Sequence, residues 1–506
     1  HIQNVCWMLY HCQIHLCEKK IQKYYLERSL ALLIHRKVAD SIPDALMQQR
    51  NVQESSQSGR MWEREDSWHV IIHLRKYKAG IFMQKEQYVN YAKILKEELI
   101  PAMGCTEPIA LAYAASLCEK TLGELPLECQ VSVSGNLVKN VKSVIVPNTG
   151  GLKGIEAAIA AGIIANDPGA RLEVLSKIRE EQYPEISAYL KEHRIIVDVA
   201  NTEETFYIDL KMMGQNHKAR VVMIAYHTNV VLLEKDGVVQ PISGCSEVAT
   251  EELIDRSCLN VHDIIEFAKT ADLSCVRECL ERQIEYNMAI AEEGIRGEWG
   301  AQVGKTYLAV YGAENTFVKA KAYAAAGSDA RMAGCGLPVV IVSGSGNQGM
   351  TASVPVIVFA REENKSEEEL LRALVISNLV TIHQKTGIGR LSAFCGAVSA
   401  GVGAAAGIAY LNGGDFEEIS HTIVNALAIL SGMTCDGAKA SCAAKIAAAI
   451  EAGYFGYQLY LKGNQFYAGD GIITKGVEHT IQNVGRLARE GMRETDKEIL
   501  SIMVGK

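Results

Sequence analysis

Residues 393–411 read A-F-C-G-A-V-S-A-G-V-G-A-A-A-G-I-A-Y-L, 19 positions without a charge. No other stretch limits the fold so strongly. A segment of that length and polarity must leave water, for a bilayer or for a protein core. Its composition decides between the two. Gly, Ala and Ser gain little on transfer to lipid, and few basic residues flank the run. The pattern predicts a buried core helix that neighbouring backbones approach closely, and no membrane span.

Three cysteines frame this run and its sequel. Cys395, Cys435 and Cys442 lie within 48 residues, each with Gly, Ala or Ser close by. Small neighbours leave room for a bulky group, and thiolates of iron–sulfur clusters need both room and backbone N–H donors. In T-C-D-G-A-K-A-S-C, the spacing predicts Cys435 just before a helix and Cys442 two turns into it, on one face. Zinc favours a tight C-x₂₋₄-C pair, which is absent here. Three thiols in place of four would leave one iron open to substrate. Residue type alone also admits three buried core cysteines.

Fourteen cysteines without a signal-peptide pattern point to a reducing cytosol, hence a cytoplasmic protein. The net charge of −8, with Lys and Arg scattered, gives no footprint for nucleic acid or an acidic membrane surface. Residues 1–82 stand apart, with two of the 43 glycines but three of the four Trp. They are expected to be an upstream extension, such as a misplaced start, outside the functional fold.

Beyond it, periodicity predicts a mixed α/β domain over 83–250 and a mostly helical domain over 251–506, an α+β chain. Expected helices include 85–100, 109–120, 152–164 and 184–191. Residues 128–133 and 141–146 read as a strand pair around S-G-N, followed by strands at 194–199, 205–210, 219–225 and 230–234. Further on, 395–411, 437–452 and 456–462 read as separate helices. Ala/Gly-rich helix faces suit packing into a homodimer.

Other stretches carry chemistry. Cys105 in M-G-C-T-E-P sits where a loop enters a helix, a place that lowers a thiol pKa. It could be a thiolate base, a nucleophile, a fourth metal ligand or a cap without a role. Glu107 could be a general acid or a first-turn acid on the helix dipole. S-G-S-G-N-Q-G-M-T-A-S-V-P (residues 343–355) reads as an anion-binding glycine loop through Ser345, Asn347 and Gln348, although the G-K-[ST] of a P-loop is missing. P-N-T-G-G, with Asn148, is a weaker loop of this kind. Arg331 could pair with Asp329 or clamp a carboxylate. His383 is the one histidine close in sequence to Cys395.

Together G-C-T-E-P-I-A, S-G-S-G-N-Q-G-M-T-A-S-V-P, F-C-G-A-V-S-A-G-V-G-A-A-A-G and M-T-C-D-G-A-K-A-S-C resemble the L-cysteine desulfidase family, which is related to the alpha domain of iron–sulfur L-serine dehydratases. The resemblance runs from about Met83 to Gly505. It implies a serine-dehydratase-alpha-like helical domain and a [4Fe–4S] enzyme without pyridoxal phosphate. It implies Cys395, Cys435 and Cys442 as iron ligands and Cys105 as the catalytic cysteine. It also implies that the glycine loop, with Ser345, Asn347 and Gln348, lies against the substrate; Glu107, Asn148 and Arg331 are further expected substrate contacts. The last cysteine is Cys442, so the tail ligand of some serine dehydratases is not expected. The implied reaction is β-elimination of L-cysteine to sulfide, pyruvate and ammonia, in anaerobic cysteine catabolism. The alternatives are dehydration of L-serine and a non-catalytic protein with zinc on the three thiols.

Overall fold

The computed structural model describes residues 85–202, 204–241 and 254–505. The expectation for residues 1–82 lies outside them. The described residues begin with α1 (Lys85–Glu98), β1 (Pro101–Met103), α2 (Thr106–Leu122), β2 (Glu128–Val133), α3 (Gly135–Val141), α4 (Ile155–Ala165) and α5 (Tyr183–Glu192). Strands β3 (Arg194–Val199), β4 (Tyr207–Met213), β5 (Lys218–Ile224), β6 (Val230–Lys235) and β7 (Val238–Val239) follow. Then come α6 (Val261–Thr270), α7 (Arg277–Arg296), α8 (Val303–Tyr311), α9 (Thr316–Met332), β8 (Pro338–Val340) and α10 (Gly346–Glu362). Last are α11 (Glu367–Ile388), α12 (Gly396–Leu411), α13 (Phe416–Ile429), α14 (Cys442–Leu461), α15 (Val477–Arg486) and α16 (Arg493–Val504).

The fold is α+β, as the periodicity predicts. Six strands form one sheet in the order β3-β2-β4-β5-β6-β7, with β2 and β3 parallel and the other neighbours antiparallel. Strand β4 alternates Ile208, Leu210 and Met212 toward a fully buried face, the period of a half-covered strand. Helix α2 lies across β4 and β5, and α4 packs on α2. Gly162 of α4 makes that close approach possible, since a Cβ there would stand 2.1 Å from the Ala112 carbonyl oxygen.

The uncharged run is α12, and it sits at the centre of the helical layer against α10, α11, α13 and α14. Every residue from Ala397 to Ala409 is buried. A helix apolar on all sides has to be enclosed on all sides. No helix among the described residues is long and apolar enough to cross a membrane. A short antiparallel pair, β1 with β8, joins the segment before α2 to the segment before α10.

Three local expectations fail. Residues 141–146 are not a strand: S-G-N opens the seven-residue helix α3, and Ile145 makes only an isolated bridge to Lys153. The glycine loop is mostly helix, because α10 starts at Gly346 and runs through Pro355. Residues 437–452 and 456–462 are not separate helices. Residues 442–461 form one helix, in which Gly453 and Gly456 are contact points with neighbours, not breaks.

Candidate active site

Four helices begin at one place. Cys105 is the N-cap of α2, Ser345 of α10 and Cys395 of α12, and Cys442 is the first residue of α14. None of the four ends carries a side-chain cap. The first N–H groups of a helix lack internal partners, and its dipole is positive at that end. Four such ends around one cavity make a seat for negative charge. The cavity between them holds about 100 Å³.

Cys105, Glu107, Arg331, Ser345, Asn347 and Gln348 all line this cavity. So do Cys395, Cys435 and Cys442. Asn148 does not. Its φ of 53° turns it away, and its amide donates to the Leu175 carbonyl at 3.0 Å. P-N-T-G-G satisfies itself, with Thr149 Oγ1 donating to Val146 O at 2.7 Å. His383 is also elsewhere, paired with Glu478 at 2.7 Å.

Cys105 does not have the acidic thiol that its loop suggests. Burial, then the Glu107 charge, push it well up, and Arg331 opposes them. Its Sγ donates to Glu107 Oε2 at 3.2 Å. Glu107 Oε1 accepts from Asn140 Nδ2 at 3.0 Å and faces His227 Nε2 at 3.9 Å, a distance of electrostatic reach and not of a hydrogen bond. Burial works to raise the Glu107 carboxyl, but His227 and the Cys105 thiol outweigh it and hold the group at about 2. Thr106 Oγ1 lies 2.9 Å from Gly344 O, tying this corner to the turn before α10.

That turn needs its glycine: Ser343 and Gly344 both have positive φ, and the His227 ring stands 3.1 Å from where a Gly344 Cβ would be. Arg331 comes from the end of α9 and donates through Nη1 to Asn347 Oδ1 at 3.1 Å. It does not pair with Asp329, which accepts from Gly304 N instead.

The three other thiols are set by two devices. Phe394 and Thr434 form an antiparallel bridge, flanked by Cys395 N–H to Met433 O and Cys435 N–H to Ala393 O at 2.9 and 2.6 Å. This brings Cys395 and Cys435 side by side. The Cys395 thiol donates to Cys435 and, with the Lys139 and Lys445 ammonium groups, holds Cys435 at about 6 against burial. Cys442 opens α14; the helix begins there and not at Gly437, so Cys442 is at its first turn, not its second. Gly437 at φ +95° lies against the Lys139 carbonyl, where a Cβ would come within 2.2 Å.

Lys139, Asn140, His227, Lys385 and Arg390 also line the cavity and carry no motif in the sequence. Lys385 is almost wholly enclosed, and burial brings its ammonium down to about 8. The ten cysteines among the described residues are free, and no three His, Cys, Asp or Glu side chains there converge to hold a single metal ion. A four-iron cluster asks for something else, separate thiols around a cavity, one for each iron. Three thiols and the ammonium groups of Lys139, Lys385 and Lys445 around them fit such an anionic group.

Residues 169–501 match the family described as serine dehydratase alpha chain. The chain is 53% identical over 428 residues to a UPF0597 protein of Desulfitobacterium hafniense, covering 84% of this chain and 99% of that one. It is 49% identical over 420 residues to a UPF0597 protein of Lachnoclostridium phytofermentans, with 82% and 100% covered. A UPF0597 protein of Treponema denticola is 46% identical over 431 residues, with 83% and 99% covered. Cys105, Glu107 and Lys139 lie upstream of the matched 169–501 segment, whereas the three other thiols lie within it.

Proposed function

Because this chain belongs to the serine dehydratase alpha-chain family, we propose that it is an iron–sulfur lyase that eliminates the β-substituent of a small L-amino acid, with L-cysteine as substrate. The observation that carries this reading is the meeting of Cys105, Cys395, Cys435 and Cys442 in one cavity ringed by four uncapped helix N-termini, three of them at cysteines. Cys395, Cys435 and Cys442 would hold a [4Fe–4S] cluster. Such a cluster supplies Lewis-acid help at an open iron for departure of the leaving group.

The chain's own residues do the rest. Arg331, with Asn347 and Gln348 at the start of α10, binds and orients the substrate carboxylate through charge-assisted hydrogen bonds. Ser345 sets the α10 N-terminus behind them. Cys105, the pocket thiol outside the metal-binding set, takes the Cα proton at Sγ. It can do so only when its own proton has left, and Arg331 is the cation that favours that state. Burial of the reacting centre excludes water. The aminoacrylate released hydrolyses to pyruvate and ammonia.

L-Serine is the second reading, favoured by the description of the matching family; hydroxide then replaces sulfide as leaving group. The test is anaerobic purification followed by iron, acid-labile sulfide and pyruvate assays. About four irons and four sulfides per chain are expected, with sulfide and pyruvate formed in equal amounts from L-cysteine. Faster pyruvate from L-serine would transfer the assignment. Zinc in place of iron would end it. Cys105→Ala is expected to keep its iron and lose at least ~100-fold in kcat; full turnover would remove Cys105 from its role.

A further inference from the structure

Three lysines line the cavity, and they are not alike. Lys139 forms an ion pair with Asp496. Lys445 donates to Asp436 Oδ1 at 2.5 Å and to the Thr434 carbonyl at 2.7 Å. Lys385 has no carboxylate partner among the described residues. Its Nζ donates only to the Arg390 carbonyl, at 3.4 Å, beyond the usual range of such bonds. Yet Lys385 is only 5% exposed. An ammonium group carries three N–H donors, and burying it without partners is costly.

The chain holds Lys385 in this position. It lies in the last turn of α11, which closes with the Gly389 N–H on the Lys385 carbonyl at 2.8 Å. Two residues earlier, His383 is anchored to Glu478 at 2.7 Å. Arg390 does not compete for the same place. Its guanidinium donates to Glu98 Oε1 at 2.8 Å and covers the Tyr226 ring. The charges that act most strongly on Lys385 are those of Cys435 and then Cys395. The one uncommitted ammonium group on the wall therefore faces two of the three thiols.

We propose that Lys385 is an N–H donor to the sulfurs of the cluster held by Cys395, Cys435 and Cys442, and that it protects the cluster from oxidation. This rests on the lyase reading above for the cluster itself and adds the residue that tunes it. Hydrogen bonds to sulfur and nearby positive charge draw electron density from a cluster and raise its reduction potential. An anionic cluster in turn supplies the partner that the protein does not give this ammonium group.

The test uses anaerobically purified holoenzyme, with iron and acid-labile sulfide counted and the cluster's reduction potential measured by redox titration. Lys385→Met keeps the length of the side chain and has no charge to bury, so the fold is expected to survive, as thermal unfolding would check. The variant should favour the oxidised cluster roughly tenfold, a potential about 60 mV more negative for one electron, and should lose iron faster in air. Lys385→Gln, which keeps an N–H donor without the charge, should shift in the same direction by less. It decides by the same comparison if Lys385→Met holds no iron. A potential equal to that of wild type overturns the proposal. A wild type without iron and sulfide overturns both the donor and the lyase reading. If the potential shifts but wild type forms no pyruvate from L-cysteine or L-serine, the donor stands and the lyase reading falls.

Discussion

Asp329 is 1% exposed, accepts the Gly304 N–H at 3.1 Å through Oδ2, and has no partner at Oδ1. Burial pushes its carboxyl up to about 6. An acid with a folded value above its unfolded one opposes folding when it ionises. The cost is absent below about 4, grows between about 4 and 6, and is complete above that. Asp329→Asn keeps an acceptor for Gly304 and loses the charge. It is expected to add ~1–2 kcal/mol at pH 7.5 and nothing at pH 4, as urea unfolding at the two values would show. At this scale the sequence is legible where a residue's neighbours announce it. Cys105, Asn347 and Gln348 stand among glycines and small residues, and they line the cavity. His227 lies in an ordinary turn between β5 and β6, and only the tertiary fold brings it to Glu107. Asn148 misleads for a physical reason: its amide is spent on the Leu175 carbonyl, well outside the turn.

At the level of elements, α12 and α14 are held backbone to backbone. A Cβ on Gly401 would stand 2.5 Å from Ala449 O, and one on Gly453 would stand 2.5 Å from Gly401 O. The N-termini of these two helices carry Cys395 and Cys442. Gly401→Val should therefore do more than cost ~1–3 kcal/mol through overpacking. It should separate the two thiols, so iron per chain falls while helical circular dichroism at 20 °C stays near wild type. Full iron content in this variant would show that the crossing does not set the thiols. The uncharged run made the central helix readable in advance, whereas the boundaries around residues 437–462 were not. Glycines inside α14 look like breaks in a one-dimensional pattern and are contacts in three dimensions. S-G-N before α3 likewise looks like a hairpin turn, since the same residues serve turns and helix starts.

Across the whole molecule, residues 82–506 form one compact unit, and two relatives match 84% and 82% of this chain over nearly their full length. We propose that residues 83–506 carry the complete function. A protein starting at Met83 is expected to bind the same iron and to match the full chain in kcat within about twofold, in side-by-side assays of the two anaerobic preparations. Loss of either property would give residues 1–82 a part in the site. Within the unit, the sheet layer with α2 contributes His227 and Cys105, and the helical layer contributes Cys395, Cys435 and Cys442, so the site depends on both layers. Sequence periodicity shows the two kinds of structure but not which turn of one meets which helix end of the other.

The four uncapped N-termini also bear on how the molecule behaves when nothing negative lies between them. Like poles brought together repel, each by a few tenths of a kcal/mol or more at such short range, and of the four only α2 has an acid in its own first turn, Glu107. The fold is in this sense locally frustrated, with the conflict confined to one cavity and relieved by an anion bound there. Occupancy and conformational stability are thus thermodynamically linked. If the proposed cluster is that anion, a chain without it is expected to be the easier chain to unfold and to clear.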